Sequence, residues 1–226
     1  MTPTSADRNT STAETRGVEP KYGIAPPTHR LPATARVGSV RLQVADLERS
    51  LPYYQSVLGL NTLERGRASA TLGAQDSSIP LVALEERRGA TPAPLRGRLG
   101  LYHFAILLPH RLALGAFVEH LRRSGVRGVG SSDHLVSEAL YLRDPDGLGI
   151  EVYADRPRDA WRVHSTPGGP ELAMGTEPLD VEALVEAGKA NRGPACRPAP
   201  PWDIYTCTWE IWIRRQRFIT GLWGWI

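Results

Sequence analysis

The pattern of apolar and polar positions divides the chain at Val37. Residues 1–36 are rich in Thr, Ser, Ala, Pro and Arg and show no apolar periodicity, which predicts a flexible N-terminal arm. Beyond them, the segment VGSVRLQV alternates apolar and polar side chains, so that Val40, Leu42 and Val44 share one face. This alternation predicts a strand with one buried face.

A helix and two more strands are predicted to follow. Asp46 is a candidate helix start, and apolar residues then recur at helical spacing until a glycine supplies a stop. Because proline is tolerated in the first turn of a helix, Pro52 indicates that this helix begins near Glu48. The runs RASATLG and IPLVALEE predict two strands, the second ending near Glu86. The first unit is therefore strand, helix and strands, over residues 37–86.

The same order of elements repeats after a linker rich in Pro, Gly and Arg. The segment GLYHFAILL predicts a strand, and the apolar spacing from Leu112 to Leu121 predicts a helix. The segments EALYLRD and LGIEVYAD predict two strands around the turn Asp144–Gly147. Two such units, over residues 37–86 and 99–155, predict an α+β domain of paired βαβββ modules with a common cleft between their sheets.

Composition narrows the classes of function. The net charge of +3 is small and the basic residues are scattered, so nucleic acid is not expected as a partner. The chain has no run of about 18 uncharged apolar residues and no signal-peptide pattern, which predicts a cytoplasmic protein without membrane association. Both cysteines, Cys196 and Cys207, lie near the C-terminus. A metal held by the preceding residues must therefore use nitrogen and oxygen ligands.

Four polar residues of the second module stand in or beside predicted strands: His103, Tyr141 and Glu151 within them, and His134 just before one. Each has an ordinary structural interpretation. His103 can be a hydrogen-bonded core histidine, and Glu151 an outward-facing charge. His134 can be a loop residue, and Tyr141 a strand aromatic. A buried glutamate needs a partner or a metal ion, however, so His103 and Glu151 on facing strands would indicate a pair of ligands.

These residues fall in segments that resemble the vicinal oxygen chelate superfamily, which includes glyoxalase I, bleomycin-resistance proteins and extradiol dioxygenases. The segments are VGSVRLQVADLERSLPYYQSVLGL and the stretch from GLYHFAILL to GIEVYADRP. The resemblance covers about residues 21–175 and points above all to the two-domain catechol 2,3-dioxygenase-like branch. From His134 to Glu151 the spacing nearly matches the extradiol dioxygenase signature. The one departure is Ser132, two residues before His134. The resemblance implies one vicinal oxygen chelate domain with curved mixed sheets over residues 37–155.

The resemblance also implies a chemistry and a role for each residue. Ring-cleaving members of the family hold Fe(II), occasionally Mn(II), with two histidines and one glutamate, and leave positions open for a catechol and O₂. By motif position His103 and Glu151 are metal ligands, whereas Ser39 stands where the other histidine is expected. His134 is then the acid/base that moves the catechol proton, and Tyr141 is a donor to the substrate oxygen.

The function implied is that of an extradiol ring-cleavage dioxygenase, whose intact relatives act on a small aromatic compound and O₂. Because a neutral hydroxyl is a poor Fe(II) ligand, Ser39 predicts that this chain is impaired. Two alternatives stay open. One is a metal-free supporting or aromatic-binding module, as in resistance proteins. The other is a glyoxalase-type lyase or isomerase, which would want a further carboxylate where Ala83 stands. The sequence leaves the aromatic substrate and a homo-oligomeric state open.

The C-terminal residues differ from the rest in composition. Residues 156–195 predict a linker with one short helix, from Pro178 to about Ala187. Residues 196–226 hold five of the six tryptophans, and their structural interpretation is an aromatic-rich terminal strand or a partner-binding segment. We predict instead that this tail is translated out of frame. Permitted codons read from one nucleotide earlier contain MGHLHLHVGDL, which resembles the opening strand of a second vicinal oxygen chelate domain, with Gly-His in place of Gly-Ser.

Overall fold

The computed structural model describes residues 37–91 and 101–190, together with Pro32, Thr34 and the backbone of Glu210–Trp212. Most of the predicted N-terminal arm, most of the linker before the second module and most of the predicted out-of-frame tail lie outside the described residues. Within the two long ranges the chain forms two consecutive units of strand, helix and three strands. The predicted α+β fold of paired βαβββ modules is confirmed.

The first module folds into a four-stranded sheet that packs against one helix. Its elements are β1 (Val40–Val44), α1 (Leu47–Ser56), β2 (Asn61–Arg65), β3 (Ser69–Gly73) and β4 (Pro80–Glu86). The strand order is β1-β4-β3-β2, with β1 parallel to β4 and the other neighbours antiparallel. The sequence analysis misses β2 because NTLER has no apolar alternation, and the strand is largely exposed.

Helix α1 confirms one sequence prediction and contradicts another. Asp46 is its N-cap, and the carboxylate accepts a hydrogen bond from the Arg49 amide at 3.0 Å. The prediction that Pro52 falls in the first turn is wrong, because the helix begins at Leu47 and Pro52 lies in its second turn. Pro52 removes one backbone hydrogen bond of the helix. The complete burial of Tyr54 in the core offsets that loss.

The second module repeats this arrangement with a sheet of its own. Its elements are β5 (His103–Leu108), α2 (Arg111–Arg123), β6 (Gly130–Asp133), β7 (Ser137–Arg143) and β8 (Gly149–Asp155). These strands are ordered β5-β8-β7-β6, with β5 parallel to β8. The sequence analysis misses β6, because its four residues, GSSD, have neither apolar alternation nor strand-favouring side chains.

Alternation along the strands separates an apolar face from a polar face in the second sheet. Phe104 and Ile106 of β5 lie in the hydrophobic core on the side of α2, and Ile150 of β8 lies with them. His103 and Glu151 therefore lie on the opposite face, because successive side chains of a strand point in opposite directions. This opposite face is where the candidate chemistry collects.

The described residues that follow β8 add several short elements, of which one helix packs on helix α2 of the second module. They form a 3-10 turn at Arg158–Ala160, the hairpin of β9 (Val163–Thr166) and β10 (Gly169–Leu172), and helix α3 (Val181–Ala190). Helix α3 begins three residues later than the predicted helix and packs closely on α2 where Gly115 meets Gly188. Strand β11 (Glu210–Trp212) pairs antiparallel with the outer edge of β5. None of the helices in the described ranges is long and apolar enough to cross a membrane.

A buried contact between a hydroxyl and a carboxylate joins the two modules. The hydroxyl of Tyr54 on α1 donates a hydrogen bond to Oδ2 of Asp144, in the turn before β8, at 2.9 Å. Burial raises the pKa of Asp144, although the amides of Leu148 and Asp146 and the Tyr54 hydroxyl act in the opposite direction. The folded protein therefore binds a proton at Asp144 more tightly than the unfolded chain does.

We expect the ionisation of Asp144 to weaken the fold as the pH rises. Its stabilising contribution is complete below the unfolded pKa, near 3.8, and is lost as the pH rises through the higher folded-state pKa. Urea denaturation of the wild type and of Asp144→Asn from about pH 3 to pH 7 measures this effect. The difference in unfolding free energy should move in favour of the variant as the pH rises. A difference that is constant with pH would contradict the expectation.

Candidate functional site

Strand register brings three of the candidate residues into one cluster. Glu151 on β8 is paired with Ala105 of β5 on one side and with Tyr141 of β7 on the other. His103 lies beside Gly149, two residues before Glu151 along β8. A side chain at Gly149 would meet the Cβ of His103 at 2.9 Å, so glycine lets the two strands approach at this point. The cluster therefore follows from the pairing of β5, β8 and β7.

His103 and Glu151 form a buried pair of neighbouring side chains. They are 7% and 8% exposed, and Nε2 of His103 lies 2.9 Å from Oε2 of Glu151. Neither ring nitrogen of His103 makes a directed hydrogen bond within the described ranges. Two ligands that bind one ion at a right angle through bonds of about 2.1 Å lie about 3 Å apart. The spacing therefore suits two adjacent ligands of a single metal ion.

Tyr141 and His134 extend this pair into a chain of polar contacts. The Tyr141 hydroxyl lies 3.2 Å from Oε1 of Glu151 and 2.7 Å from Nε2 of His134. On its other side, Nδ1 of His134 lies 2.8 Å from the carbonyl oxygen of Gly175. The structure thus brings together all four predicted residues of the second module, in the order His134, Tyr141, Glu151 and His103.

The hydrogen atoms in this row of polar contacts can be assigned to their donors. The Gly175 carbonyl only accepts, so Nδ1 of His134 carries a hydrogen. In a neutral imidazole Nε2 is then an acceptor, and the Tyr141 hydroxyl donates its one hydrogen to His134. When His134 is protonated at both nitrogens, Nε2 donates to the Tyr141 oxygen, and the Tyr141 hydrogen is available to Glu151. The arrangement can therefore pass a proton between the imidazole and the carboxylate through the phenol.

The electrostatic surroundings of Glu151 favour its charged form. Burial by itself raises the pKa of this carboxyl, but the contacts with His103 and Tyr141 and the charge of His134 outweigh burial, so that its pKa lies below the usual value. Glu151 is thus a carboxylate at neutral pH. This is the form that binds cations and accepts hydrogen bonds from a phenol or an imidazolium.

The first module offers Ser39 where the resemblance implies a histidine. Ser39 is exposed and immediately precedes β1. In the part of the chain that the structure describes, no group of three His, Cys, Asp or Glu side chains is placed to hold one metal ion. Among the described side chains, His103 and Glu151 therefore fit two positions of a three-ligand centre, and no described His, Cys, Asp or Glu side chain is placed to complete it.

One contact of the site comes from outside the predicted domain. Gly175, whose carbonyl orients His134, lies in the segment between β10 and α3. This segment is tied to the end of β6 by two backbone hydrogen bonds between Asp133 and Glu177, of 2.9 and 2.8 Å. A backbone carbonyl carries no residue signature, so no sequence pattern could have indicated it.

Comparison with known proteins identifies the family. Residues 36–152 match the Glyoxalase/Bleomycin resistance protein/Dioxygenase superfamily. The match spans both modules, from the residue before Val37 into β8. The chain belongs to this superfamily, and the resemblance predicted from the sequence is confirmed.

The similar proteins include two dioxygenases. The chain is 45% identical over 156 residues to a catechol-2,3-dioxygenase of Bacillus subtilis (strain 168), covering 69% of this chain and 53% of that protein. It is 25% identical over 183 residues to biphenyl-2,3-diol 1,2-dioxygenase 3 of Rhodococcus globerulus, covering 79% and 91%. A solved glyoxylase/bleomycin resistance protein/dioxygenase domain from Frankia sp. EAN1pec matches 54% of this chain and 98% of its own, with 24% identity and a TM-score of 0.45. The chain thus spans about half the length of the Bacillus protein.

Proposed function

We propose that this chain carries the first domain of a two-domain extradiol dioxygenase. In the intact protein, Fe(II), or occasionally Mn(II), would bring a catecholic compound and O₂ together for ring cleavage in aromatic catabolism. The observation that carries the proposal is the 45% identity to about half of a catechol-2,3-dioxygenase. The cytoplasmic location predicted from the sequence is part of the same proposal.

Within that protein, we propose that the described domain binds the aromatic compound and supports the catalytic domain. It does not itself cleave the aromatic ring. His103 and Glu151 supply one imidazole and one carboxylate, and Ser39 adds only a neutral hydroxyl. The side chains of Tyr141 and His134 can form hydrogen bonds with the phenolic hydroxyl of a ligand and can exchange its proton. We therefore expect this chain to bind aromatic diols weakly and not to turn them over.

The predicted frameshift in the tail is the part of this proposal that the gene sequence can test. We expect the coding DNA after Ala195 to encode MGHLHLHVGDL in the frame that starts one nucleotide earlier, and to continue into a second vicinal oxygen chelate domain. Sequencing the gene and its downstream region gives the answer directly. Codons that do not permit this string, or a downstream frame that encodes no such domain, would reject the frameshift.

Restoring the frame tests the activity itself. The frame-corrected protein, loaded anaerobically with Fe(II), is expected to consume O₂ with catechol and to form the yellow ring-cleavage product, while the 226-residue chain forms none. The 226-residue chain, prepared in the same way, is the matched control. Equal activity of the two proteins would place the complete centre in this domain, and inactivity of both would count against the dioxygenase proposal.

A metal-free aromatic-binding module is the second candidate function. The observation that favours it is that the contacts with His103 and Tyr141 and the charge of His134 already lower the pKa of Glu151 without a cation. On this proposal catechol binds equally well with and without a chelator. Titration followed by tryptophan fluorescence with EDTA present separates it from a metal-dependent site, where the chelator abolishes binding.

Removing the phenol at the centre of the polar chain is expected to weaken this binding. Tyr141→Phe deletes the hydroxyl that joins His134 to Glu151, and the loss of one hydrogen bond to the ligand or its carboxylate neighbour lowers catechol affinity by about tenfold. Isothermal titration calorimetry measures the change. Tyr153→Phe, two residues beyond Glu151 on the same strand face, is the matched control. Equal losses in both variants would show that Tyr141 has no special part in binding.

A further inference from the structure

The turn between β7 and β8 is closed by a single side chain. Oδ1 of Asp144 accepts hydrogen bonds from the amides of Asp146 at 2.9 Å and Leu148 at 2.8 Å. The Asp144 carbonyl also accepts a hydrogen bond from the amide of Gly147 at 2.9 Å. Gly147 has a φ of 82°, the left-handed conformation that favours glycine. The turn is therefore formed without the side chain of Asp146.

The Asp146 side chain instead reaches into the first module. Its Oδ2 accepts a hydrogen bond from the amide of Ala45 at 2.8 Å, and its Oδ1 forms an ion pair with Arg49. Ala45 lies between β1 and the N-cap of α1, where the backbone amide has no partner from its own sheet. Asp146 is 9% exposed, whereas the Arg49 side chain is 46% exposed, so the carboxylate is largely protected from water and the arginine is not. A side chain of the second module thus completes the hydrogen bonding of the first.

A second contact at the same turn crosses the modules from the opposite direction. The hydroxyl of Tyr54 on α1 donates to Oδ2 of Asp144 at 2.9 Å in a fully buried environment. Together, Asp144 and Asp146 contact the first module at the residue after β1, at the start of α1 and further along α1. We call this set of contacts the module clasp: Asp144 and Asp146 with Ala45, Arg49 and Tyr54.

The clasp joins the strands that border the proposed site. Ser39 immediately precedes β1, whose other end leads to Ala45, and Glu151 lies on β8, which begins two residues after Gly147. A rigid connection between these two strand ends therefore sets how the first module faces the polar cluster. The acidic residues of the signature turn have no direct part in that cluster, since the contacts of Asp146 lie in the first module.

We propose that Asp146 is a positioning residue that, through the module clasp, fixes β1 and the Ser39 position relative to His103 and Glu151. The meaning of this positioning for catalysis rests on the proposed function. The positioning itself needs neither metal nor substrate. It can therefore be tested by measurements that stay valid if the dioxygenase proposal fails.

The first measurement is hydrogen exchange of the Ala45 amide by NMR. In Asp146→Ala the amide loses its buried carboxylate acceptor, and its exchange is expected to accelerate about ten- to a hundredfold. Asp146→Asn keeps an oxygen for Ala45 and should recover most of the protection. Glu85→Gln, which removes an exposed ion pair with Arg41 inside the first module, is the matched control and should leave Ala45 unchanged. Unchanged exchange in Asp146→Ala would overturn the clasp.

The second measurement asks whether the modules move. Spin labels at Ser39→Cys and Arg123→Cys, in a chain with Cys196→Ser and Cys207→Ser, report the distance from the Ser39 position to the second module. Both labelled positions are exposed. The distance distribution is expected to shift or broaden in Asp146→Ala and to stay as in the wild type in Glu85→Gln. A merely local contact would raise Ala45 exchange and leave this distribution unchanged, and that result would overturn the positioning role.

A milder variant, at the first-module partner of Asp146, tests the module clasp if Asp146→Ala does not fold. If Asp146→Ala fails to fold, Arg49→Gln removes the ion pair from the half-exposed arginine and leaves the buried amide contact in place. We expect a smaller rise in Ala45 exchange, about threefold to tenfold, and a detectable broadening of the distance distribution. The absence of both effects in a folded Arg49→Gln protein would also overturn the proposal.

Discussion

Ser39→His is expected to convert this chain into a tight metal-binding protein. The substitution adds an imidazole to the proposed centre, where Nε2 of His103 and Oε2 of Glu151, the two ligands we propose, lie 2.9 Å apart. Completing the set of two imidazoles and one carboxylate should raise the affinity for Fe(II) or Co(II) by more than about 100-fold, since loss of even an outer-shell partner costs 10- to 100-fold. Anaerobic titration with Co(II), followed by its visible absorption, measures the affinity and reports the ligand geometry.

Two controls make this experiment specific to the site. Gln43→His adds an imidazole to the same strand face of β1, four residues further along, and should give no gain in affinity. Glu151→Gln in the Ser39→His background should remove most of the gain. If Ser39→His binds no better than the wild type while remaining folded, Ser39 does not occupy the missing ligand position.

The second large effect is expected at the contact between α2 and α3. A Cβ on Gly115 would lie 2.1 Å from the carbonyl oxygen of Leu184 on α3, and a backbone atom cannot swing aside as a side chain can. Gly115→Val is therefore expected to displace α3 and to cost about 3 kcal/mol of unfolding free energy, which is at the upper end for overpacking. Urea denaturation measures the cost, and hydrogen exchange along α3 locates it.

Ala116→Val is the matched control, because Ala116 is the next residue of α2 and its side chain is exposed. That variant should lose only the small difference in helix propensity, about 0.5 kcal/mol. Displacement of α3 should also loosen the segment that carries Gly175, and with it the orientation of His134. Equal stability of the two variants would mean that α3 does not depend on the glycine contact.

The parts of the fold that could be predicted are those with a strong local pattern. The alternation at Val40, Leu42 and Val44 predicts β1, and Asp46 predicts the start of α1, because both effects act within a few residues. Strands β2 and β6 have polar sequences and depend on pairing with β3 and β7, so no local pattern marks them. The same limit explains Pro52, whose place in the second turn of α1 depends on the packing of that helix.

The candidate site divides in a similar way. His103, His134, Tyr141 and Glu151 could be singled out because their spacing matches a known signature and because polar residues in buried strands are unusual. The Gly175 carbonyl and the reach of Asp146 to Ala45 could not, since both depend on which segments meet in space. In the sequence Asp146 is an ordinary turn residue, and its contacts across the modules emerge only from the tertiary structure.

The iron content of the chain as it stands is the most direct measurement of its metal chemistry. Protein loaded anaerobically with Fe(II), passed through a desalting column and analysed by mass spectrometry should retain less than about 0.1 iron per chain, because two protein ligands do not hold Fe(II) against dilution. Retention of about one iron per chain, lost in Glu151→Gln and accompanied by cleavage of catechol, would contradict the proposal that this domain lacks a complete centre.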